Sequence, residues 1–588
     1  MTGSVPILCA LVLAAPWDSN VLENPNFERG LAHWDLTSQE IETATETTEG
    51  RNAARIRVAS PEQVGFPRLF QSFGVKPGDV LRGKAEILGR GLERGRGAYL
   101  SIDFLDAGNK RLGYVQSARL SGMERWIPIR VEGVAPPEAS KAHFCLTLNG
   151  LGEALFRDVA LFIETLDPPA SLEGPVTLEV TSRIARDSLI GFGFEDDGWF
   201  YNEENRARGV SKEDAPLREG RIEWMDPDWV RMFFWHKDWC PSGDWETFTF
   251  DSENMQSHYR TLDLYQRIGT RVNVVGVEWG MKKPYEDAER AARGIARLLA
   301  HLIRDKGYAC IRDWTLSNEP NDLFPSRGYS FDRYVALLSE TRKEIHRLGL
   351  EVQVVGADDA DSLPWFRECV SNPACFEACD IFASHRYFPH TDAVFIPSFF
   401  ESRQTLLGDK TPPKPFVVAE FGFQDKRSGT LENPIMETYP YALWAARFAI
   451  EGLNAGVEGF SIWCLHEMVY PSGAFMNYGL WNFKDREWEI RPVYHAWLMF
   501  TRGTESGDAA RLCLSSHPET VKAAFAGNTL FWVNLGEEAV PIQVLGVEPK
   551  TARVHTEATL WGDRESGRET PITDGRFELP PRSFGYAR

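Results

Sequence analysis

Eight short apolar runs recur through the middle of the chain, and each is followed by a longer segment of different periodicity. The runs are Leu189–Glu195, Val230–Trp235, Val272–Trp279, Ile311–Leu316, Val352–Ala357, Ile381–Ser384, Phe416–Ala419 and Gly459–Trp463. Eight alternating strand–helix units predict a closed (β/α)8 TIM barrel over residues 187–500. A doubly wound open sheet is the alternative fold, but no G-x-G-x-x-G pattern follows the first run.

Several of the intervening segments carry apolar residues at helical spacing. In Ala288–Leu302 the stripe consists of Ala292, Ile295, Leu298, Leu299 and Leu302. A second helix is predicted between Ser330 as N-cap and Gly349, and a third over Tyr441–Leu453. Apolar residues at i, i+3, i+4 and i+7 bury one helix face, which is the face that packs on a sheet.

Two of the predicted strands end in a glutamate. The fourth is followed by Asn318-Glu319-Pro320, and the seventh by Glu420. Because the carboxyl ends of all barrel strands meet at one face, both carboxylates are expected to reach one central ligand. Two carboxyl groups about 5–5.5 Å apart can cleave a glycosidic bond with retention, one as nucleophile and the other as acid and then base. The pair predicts a glycosidase.

Other polar and aromatic residues follow strand ends and are candidate substrate-binding groups. They are Arg231, His385, Tyr387, Trp463, Glu195, Glu278 and Trp279, with Glu467 also close behind the last strand. For Glu195, Glu278 and Glu467 a capping or salt-bridged loop carboxylate is an equal alternative. No pair among them has the i, i+4 His/Glu spacing of a helical metal site, so no metal is predicted.

This constellation resembles the retaining glycoside hydrolases of clan A. The matching positions are the Asn-Glu of strand 4, the Glu of strand 7, the Arg of strand 2, the His-x-Tyr of strand 6 and the Trp of strand 8. The resemblance implies that Glu319 is the acid/base and Glu420 the nucleophile, with no cofactor. It also implies that Asn318 contacts a sugar hydroxyl and that Tyr387 and Arg231 hold Glu420.

Within the clan, the chain looks most like family 39, with families 51, 30 and 5 less close. The motifs that carry this likeness are Tyr441-Ala442-Leu443-Trp444, Gly459-Phe460-Ser461-Ile462-Trp463, Tyr478-Gly479-Leu480-Trp481 and Arg491-Pro492-Val493-Tyr494-His495-Ala496. Xylosides, galactosides, glucosides and arabinofuranosides all remain open as substrates. So do exo and endo action.

The front of the chain, residues 19–166, reads as short alternating strands and predicts an antiparallel sandwich. Asn20–Glu28 with Trp34, Phe70–Gly78 and Phe156–Val159 resemble jelly-roll carbohydrate-binding modules of the family 4/9/22 type. Tyr99 and Tyr114 are either ligand-facing rings or ordinary sandwich residues, and the latter is the commoner role of half-buried tyrosine.

The remaining segments frame these two regions. Residues 1–18 resemble a signal peptide, which predicts a secreted or periplasmic protein, although no basic residue precedes the apolar run. Asp167-Pro168-Pro169-Ala170 marks a linker by its prolines. Residues 501–588 are again β-like, and a strand within 172–186 is expected to join them in a C-terminal β-sandwich.

Composition narrows the choice of ligand. A formal net charge of −20 argues against nucleic acid and anionic membranes as partners, and no later run is long enough for membrane insertion. A neutral poly- or oligosaccharide fits better; the pattern gives no oligomeric state. Two other functions stay open: a non-catalytic carbohydrate-binding protein on a barrel scaffold, and a transglycosylase. Cys369, Cys375 and Cys379 form either one local disulfide or free thiols.

Overall fold

The structure is a computed structural model that describes residues 19–37, 41–121, 124–166, 172, 174–389, 393–425, 431–564 and 566–588. The chain divides into two compact units between residues 167 and 168. The predicted signal peptide (1–18) and the proline-rich linker at 167–170 lie outside the described residues. Each unit is described separately below.

The first unit is an antiparallel β structure. Its strands are β1 (Asp35–Leu36), β2 (Glu42–Thr48), β3 (Arg51–Val58), β4 (Arg68–Gly74), β5 (Val80–Leu105), β6 (Arg111–Gln116), β7 (Ile127–Val134) and β8 (Lys141–Glu164). The long strands β5 and β8 run through two layers: β8 pairs with β4 over its first half and with β3 over its second. One apolar cluster, including Phe27, Phe144 and Phe156, fills the space between the layers.

The two tyrosines considered as ligand contacts in this unit differ in exposure. Tyr99 is only 2% exposed. Tyr114 is half-buried, and the Arg111 guanidinium lies over its ring at 5.0 Å. Tyr99 therefore presents almost no surface to a ligand in this structure.

The second unit begins with β9 (Val176–Arg186) and continues into a closed barrel of eight parallel strands. The barrel strands are β10 (Gly191–Glu195), β11 (Trp229–Trp235), β12 (Arg271–Val277), β13 (Ile311–Thr315), β14 (Gln353–Ala360), β15 (Ile381–Pro389), β16 (Phe416–Gln424) and β17 (Gly459–Ile462). All eight coincide with a predicted apolar run, and the barrel closes by pairing β17 with β10. The predicted (β/α)8 core is confirmed.

Helices connect these strands. They are α1 (Glu203–Ala207), α2 (Ala215–Met225), α3 (His236–Trp239), α4 (Glu253–Ile268), α5 (Ala288–Ala300), α6 (Pro320–Ser326), α7 (Phe331–Arg347), α8 (Leu363–Ser371), α9 (Pro373–Ala378), α10 (Ile396–Gly408), α11 (Tyr439–Asn454) and α12 (Pro492–Thr501). The stripe predicted on α5 is buried throughout. Ser330 caps α7 by accepting from the Arg333 amide, as predicted.

Three strands extend beyond their predicted ends, and the first of them, β14, runs to Ala360 instead of Ala357. β15 runs to Pro389 instead of Ser384, and β16 runs to Gln424 instead of Ala419. The two remain paired past the rim, since Phe388 still lies opposite Phe423. His385 and Glu420 therefore lie within paired strands and not in loops, directly after a register shift between Ser384 and His385.

The chain ends in a nine-stranded sheet that contains β9. Its other strands are β18 (Ala510–Ser515), β19 (Val521–Ala526), β20 (Thr529–Asn534), β21 (Val540–Leu545), β22 (Thr551–His555), β23 (Arg568–Pro571), β24 (Arg576–Leu579) and β25 (Ser583–Ala587). β9 lies between β18 and β21. One cluster with Val176, Trp532 and Leu579 joins strands from distant parts of the sheet. The nine-stranded sheet therefore curves around this apolar cluster, which forms its core.

Two further features bear on the sequence predictions. Within the described ranges, no helix is both long and apolar enough to cross a membrane. The described cysteines, Cys369, Cys375 and Cys379 among them, are buried free thiols.

Candidate active site

Glu319 and Glu420 meet at the mouth of the barrel. Glu319 follows β13 and takes a left-handed backbone conformation (φ 50°, ψ 55°) at the start of α6. Glu420 lies within β16, directly opposite His385 of β15. One carboxylate oxygen of each glutamate and a ring nitrogen of His385 all lie within 4.8 Å of one another. The structure thus brings together the two carboxylates that the strand ends predicted.

The two carboxylates differ in solvent exposure. The Glu319 side chain is 33% exposed, whereas that of Glu420 is 8% exposed. Burial raises the pKa of Glu420 to about 7, with a smaller contribution from the charge of Glu319. His385 and Arg231 act in the opposite direction and favour the ionised form of Glu420. The pair therefore combines an accessible carboxyl group with one enclosed by cationic donors.

Arg231 is the centre of the network around Glu420. It lies within β11, its side chain has no exposed surface, and its Nη1 donates to Glu420 Oε2 at 3.2 Å. Nη1 also donates to Glu195 Oε2 at 2.7 Å, and Nη2 donates to Asn318 Oδ1 at 2.7 Å. The planar guanidinium can serve all these acceptors at once because its five N–H groups diverge in one plane. Arg231 consequently fixes the side chains of Glu420 and Asn318, which both lie at the mouth of the barrel.

Tyr387 holds the other oxygen of Glu420. Its hydroxyl donates to Glu420 Oε1 at 2.5 Å. Because Arg231 donates to Oε2, both Glu420 oxygens have a donor, and a short hydrogen bond of this kind favours the carboxylate form.

Asn318 accepts from Arg231 through Oδ1, so its amide hydrogens are turned away from the guanidinium.

Aromatic side chains form one wall of the mouth. Trp463 follows β17, is 5% exposed, and lies nearly parallel to Tyr470 with ring centroids 6.3 Å apart. Phe233 packs against both Trp463 and the half-buried Trp279. Trp463 and Trp279 thus belong to one continuous aromatic surface, and flat apolar ligand faces stack on such surfaces.

Three strand-end glutamates do not open into the mouth. The Glu195 side chain has no exposed surface and lies behind Arg231. Glu278 accepts from Tyr285 and from Ser317 Oγ, and burial raises its pKa to about 7. Glu467 is paired with Arg491. In this structure the three carboxylates contact protein groups, and a substrate contact by Glu195 or Glu278 stays a prediction.

Asp358 belongs to the same network but was missed by the sequence reasoning. It is 1% exposed, its Oδ2 accepts from Arg231 Nη2 at 2.8 Å, and its Oδ1 lies 3.1 Å from His385 Nε2. The signal that could have identified it is its position: a carboxylate directly after the predicted end of the fifth strand at Ala357.

Glu319, His385 and Glu420 also span a volume that a cation could bridge. Burial acts to lower the pKa of His385, but Asp358 and Glu420 outweigh it and raise the pKa to about 10. In its protonated form the imidazole can donate from both ring nitrogens. The three side chains therefore place proton donors and acceptors beside one another.

Comparisons with known proteins show similarity at the level of fold. No protein-family model matches the sequence, and no curated protein matches it. The catalytic domain of a family 30 xylanase C from Talaromyces cellulolyticus aligns with 70% of this chain and 99% of its own, at 15% identity and a TM-score of 0.52. AbfB, a family 51 alpha-L-arabinofuranosidase from Bifidobacterium longum, aligns with 72% and 99%, at 12% identity and 0.52.

A family 39 beta-xylosidase from Caulobacter crescentus aligns with 70% of this chain and 98% of its own, at 15% identity and a TM-score of 0.49. The family 30 and family 51 enzymes are clan A glycoside hydrolases, so the resemblance of the barrel to this clan is confirmed. At these identities the likeness establishes the fold alone.

Proposed function

We propose that this chain is a retaining glycoside hydrolase that cleaves O-glycosidic bonds of a poly- or oligosaccharide. The observation that carries the proposal is the approach of the Glu319 and Glu420 carboxylates to within 4.8 Å. Retaining glycosidases hold their carboxyl groups about 5–5.5 Å apart, whereas inverting enzymes need roughly 6.5–9.5 Å to admit a water molecule. The separation leaves no room for water behind the sugar, so direct attack by one carboxylate is favoured.

In the first step Glu420 attacks the anomeric carbon while Glu319 protonates the leaving oxygen. The more exposed Glu319 reaches the bond from the solvent side, where the leaving group departs. Glu420 is the nucleophile because Tyr387 and Arg231 each donate to one of its oxygens, which aims it and favours its ionised form. In the second step the deprotonated Glu319 activates water, which releases the sugar from Glu420.

The remaining site residues have binding roles in this proposal. The amide hydrogens of Asn318 are directed to a sugar hydroxyl, because its oxygen is already used by Arg231. Trp463 supplies a flat floor beneath the ring, and Trp279 extends it outward. No cofactor takes part. Secretion, or export to a periplasm, is proposed on the N-terminal apolar run alone.

Kinetics of two variants together with product stereochemistry test the assignment. Glu420→Ala is expected to abolish hydrolysis, whereas Glu319→Ala should keep the first step only for aryl glycosides whose leaving group needs no proton. Azide should then rescue Glu319→Ala by attacking the glycosyl-enzyme in place of activated water. NMR of the first product should show the anomer of the substrate. An inverted product, or a Glu420→Ala variant as active as wild type, would contradict the proposal.

A further inference from the structure

A β-bulge in β14 places the Asp358 side chain in the candidate active site. β14 pairs regularly with β15 up to Ala357, and the register then shifts so that Asp359, not Asp358, lies opposite Ser384. Ala357 and Asp358 both have positive φ, at 62° and 42°. Such conformations are costly for residues other than glycine, and bulges next to active sites re-aim a side chain. Here the bulge turns Asp358 inward.

The inward carboxylate joins two cations. Asp358 Oδ2 accepts from Arg231 Nη2 at 2.8 Å, and Oδ1 lies 3.1 Å from His385 Nε2. Arg231 Nη2 itself approaches His385 Nε2 to 3.3 Å. A carboxylate is the one group that stabilises both cations at once, and it is fully buried, so its field is little screened. Although burial opposes it, the two cations hold the pKa of Asp358 below its ordinary value.

The other ring nitrogen of His385 faces both proposed catalytic carboxylates. Nδ1 lies 3.3 Å from Glu319 Oε1 and 3.6 Å from Glu420 Oε2. An ionised carboxylate only accepts hydrogen bonds. When Asp358 and Glu420 are both ionised, Nε2 and Nδ1 each carry a hydrogen toward them, and the ring is then an imidazolium. The pKa of about 10 agrees with this: burial lowers it, but Asp358 and Glu420 raise it further.

All charged groups around the ring bear on its protonation. Asp358 of β14 and Glu420 of β16 favour the cation, and Arg231 of β11 opposes it. Glu319, after β13, lies 3.3 Å from Nδ1. Within β15 itself, Tyr387 contacts Glu420 and not the ring, and Ser384 turns to Asp359, which is paired with Arg403. Among the residues that the structure describes, Asp358 is therefore the one carboxylate that bonds His385 without taking part in the proposed chemistry.

We propose that Asp358 is a positioning residue that keeps His385 protonated, as an imidazolium, throughout the reaction. This imidazolium donates from Nδ1 to whichever of Glu420 and Glu319 is ionised at each step. The inference rests on the roles proposed above. When Glu420 bonds to the anomeric carbon its charge is lost, and Glu319, having given its proton to the leaving oxygen, becomes the anion. A small tilt moves Nδ1–H from one to the other. The imidazolium keeps its own proton, because Asp358 remains charged throughout.

The test replaces Asp358 by asparagine, which keeps the shape and removes the charge. In Asp358→Asn the pKa of the ring should fall below its wild-type value of about 10, because one of the two carboxylates that raise it against burial has lost its charge. We expect kcat to fall about tenfold or more for activated aryl glycosides, since the anion loses a charged donor. The acidic limb of kcat/KM should move upward by about one pH unit.

Glu458→Gln is the matched control. Glu458 is also a buried carboxylate paired with an arginine, Arg186, but it precedes β17 at the opposite end of the barrel. Burial raises its pKa to about 7. The control should lose stability comparably and leave the pH profile in place. Asp358→Asn protein that melts like the control, yet retains a wild-type profile and kcat, would overturn the proposal.

A measurement on the wild type covers the case in which Asp358→Asn does not fold. Nitrogen-15 NMR of histidine-labelled protein, with the His385 signals assigned by difference from His385→Gln, reports both ring nitrogens directly. Both should stay protonated from pH 6 to about 9, below the pKa of about 10. A neutral ring at pH 8 would overturn the proposal. This readout needs no substrate, so failure of the proposed hydrolase activity is distinguishable from failure of the imidazolium.

Discussion

At the scale of single residues, the candidate active site is organised around Arg231, whose buried guanidinium donates to several carboxylates. Arg231 has no exposed side-chain surface, and it bonds Glu195, Asp358 and Glu420. A buried cation is tolerated only when paired and hydrogen-bonded, and removing one partner leaves an uncompensated charge that costs about 3–5 kcal/mol. The hidden side chain of Glu195 thus has a role without touching a ligand, because it accepts from Nη1 and helps to hold Arg231 in place.

The Tyr387 hydroxyl should set the pH at which Glu420 becomes active. It donates to Glu420 Oε1 and so stabilises the ionised form. In Tyr387→Phe the pKa of Glu420 should rise above its value of about 7. A carboxylate nucleophile is lost as pH falls through its pKa, so the acidic limb of kcat/KM should move upward. The loss of rate should be larger at pH 5 than at pH 9.

Tyr439→Phe is the control for this prediction. Its hydroxyl is buried as well but donates to the backbone carbonyl of Arg582 in the C-terminal sheet. It should lower stability by about 1 kcal/mol and leave the limb unchanged. If Tyr387→Phe reduced the rate equally at every pH, the hydroxyl would be orienting Glu420 without tuning its ionisation.

At the scale of elements, the sequence predicted which segments form the barrel but not how their ends are oriented. Apolar runs locate strands, and the convergence of strand ends is sufficient to pair Glu319 with Glu420. Whether a strand-end side chain points into the mouth depends on register with its neighbours. Glu195 lies directly opposite Arg231 in the pairing of β10 with β11, and this turns it into the protein. No pattern within either run contains that information.

The bulge in β14 escaped prediction for a related reason. Its residues, Val354 to Asp358, read as an ordinary strand followed by polar residues, and no glycine marks the positive φ at Ala357. β14 pairs with β15 in regular register up to Ala357, skips Asp358, and resumes pairing at Asp359. A non-local pairing therefore selected a local conformation that the residues themselves disfavour.

This strain predicts unequal losses of stability for two alanines that face each other across β14 and β15. Ala357 and Ala383 lie directly opposite each other and are both fully buried, but only Ala357 has a positive φ. Ala383→Gly should lose about 1.5 kcal/mol through the missing methyl and the freer unfolded chain. In Ala357→Gly, relief of about 1 kcal/mol of strain should offset most of that loss. Urea denaturation of both variants measures the difference, and equal losses would show that the bulge stores no strain.

At the scale of the whole molecule, the chain before the barrel and the chain after it share one sheet. β9 precedes the first barrel strand, yet it lies between β18 and β21, which follow the last helix of the barrel. α11 is tied to this sheet as well, through Asn454 Nδ2 donating to the carbonyl of Ala523 at 2.8 Å. Barrel and sheet therefore depend on each other, and neither end of the second unit can be removed without exposing apolar surface.

Two truncations should consequently behave in opposite ways. A chain of residues 172–588 retains every strand and helix of the second unit, and should unfold cooperatively and hydrolyse small aryl glycosides at nearly the full-length rate. A chain of residues 19–500 loses both neighbours of β9 and exposes Val176, Leu178 and Val180, which are buried in the complete sheet. Burying each such side chain stabilises by about 1.5–3 kcal/mol, which is a large fraction of a typical net stability. It should therefore aggregate or melt without cooperativity. Calorimetry and activity assays on both chains test this prediction. A 19–500 chain that unfolds cooperatively and is active would show that the barrel folds without the C-terminal sheet.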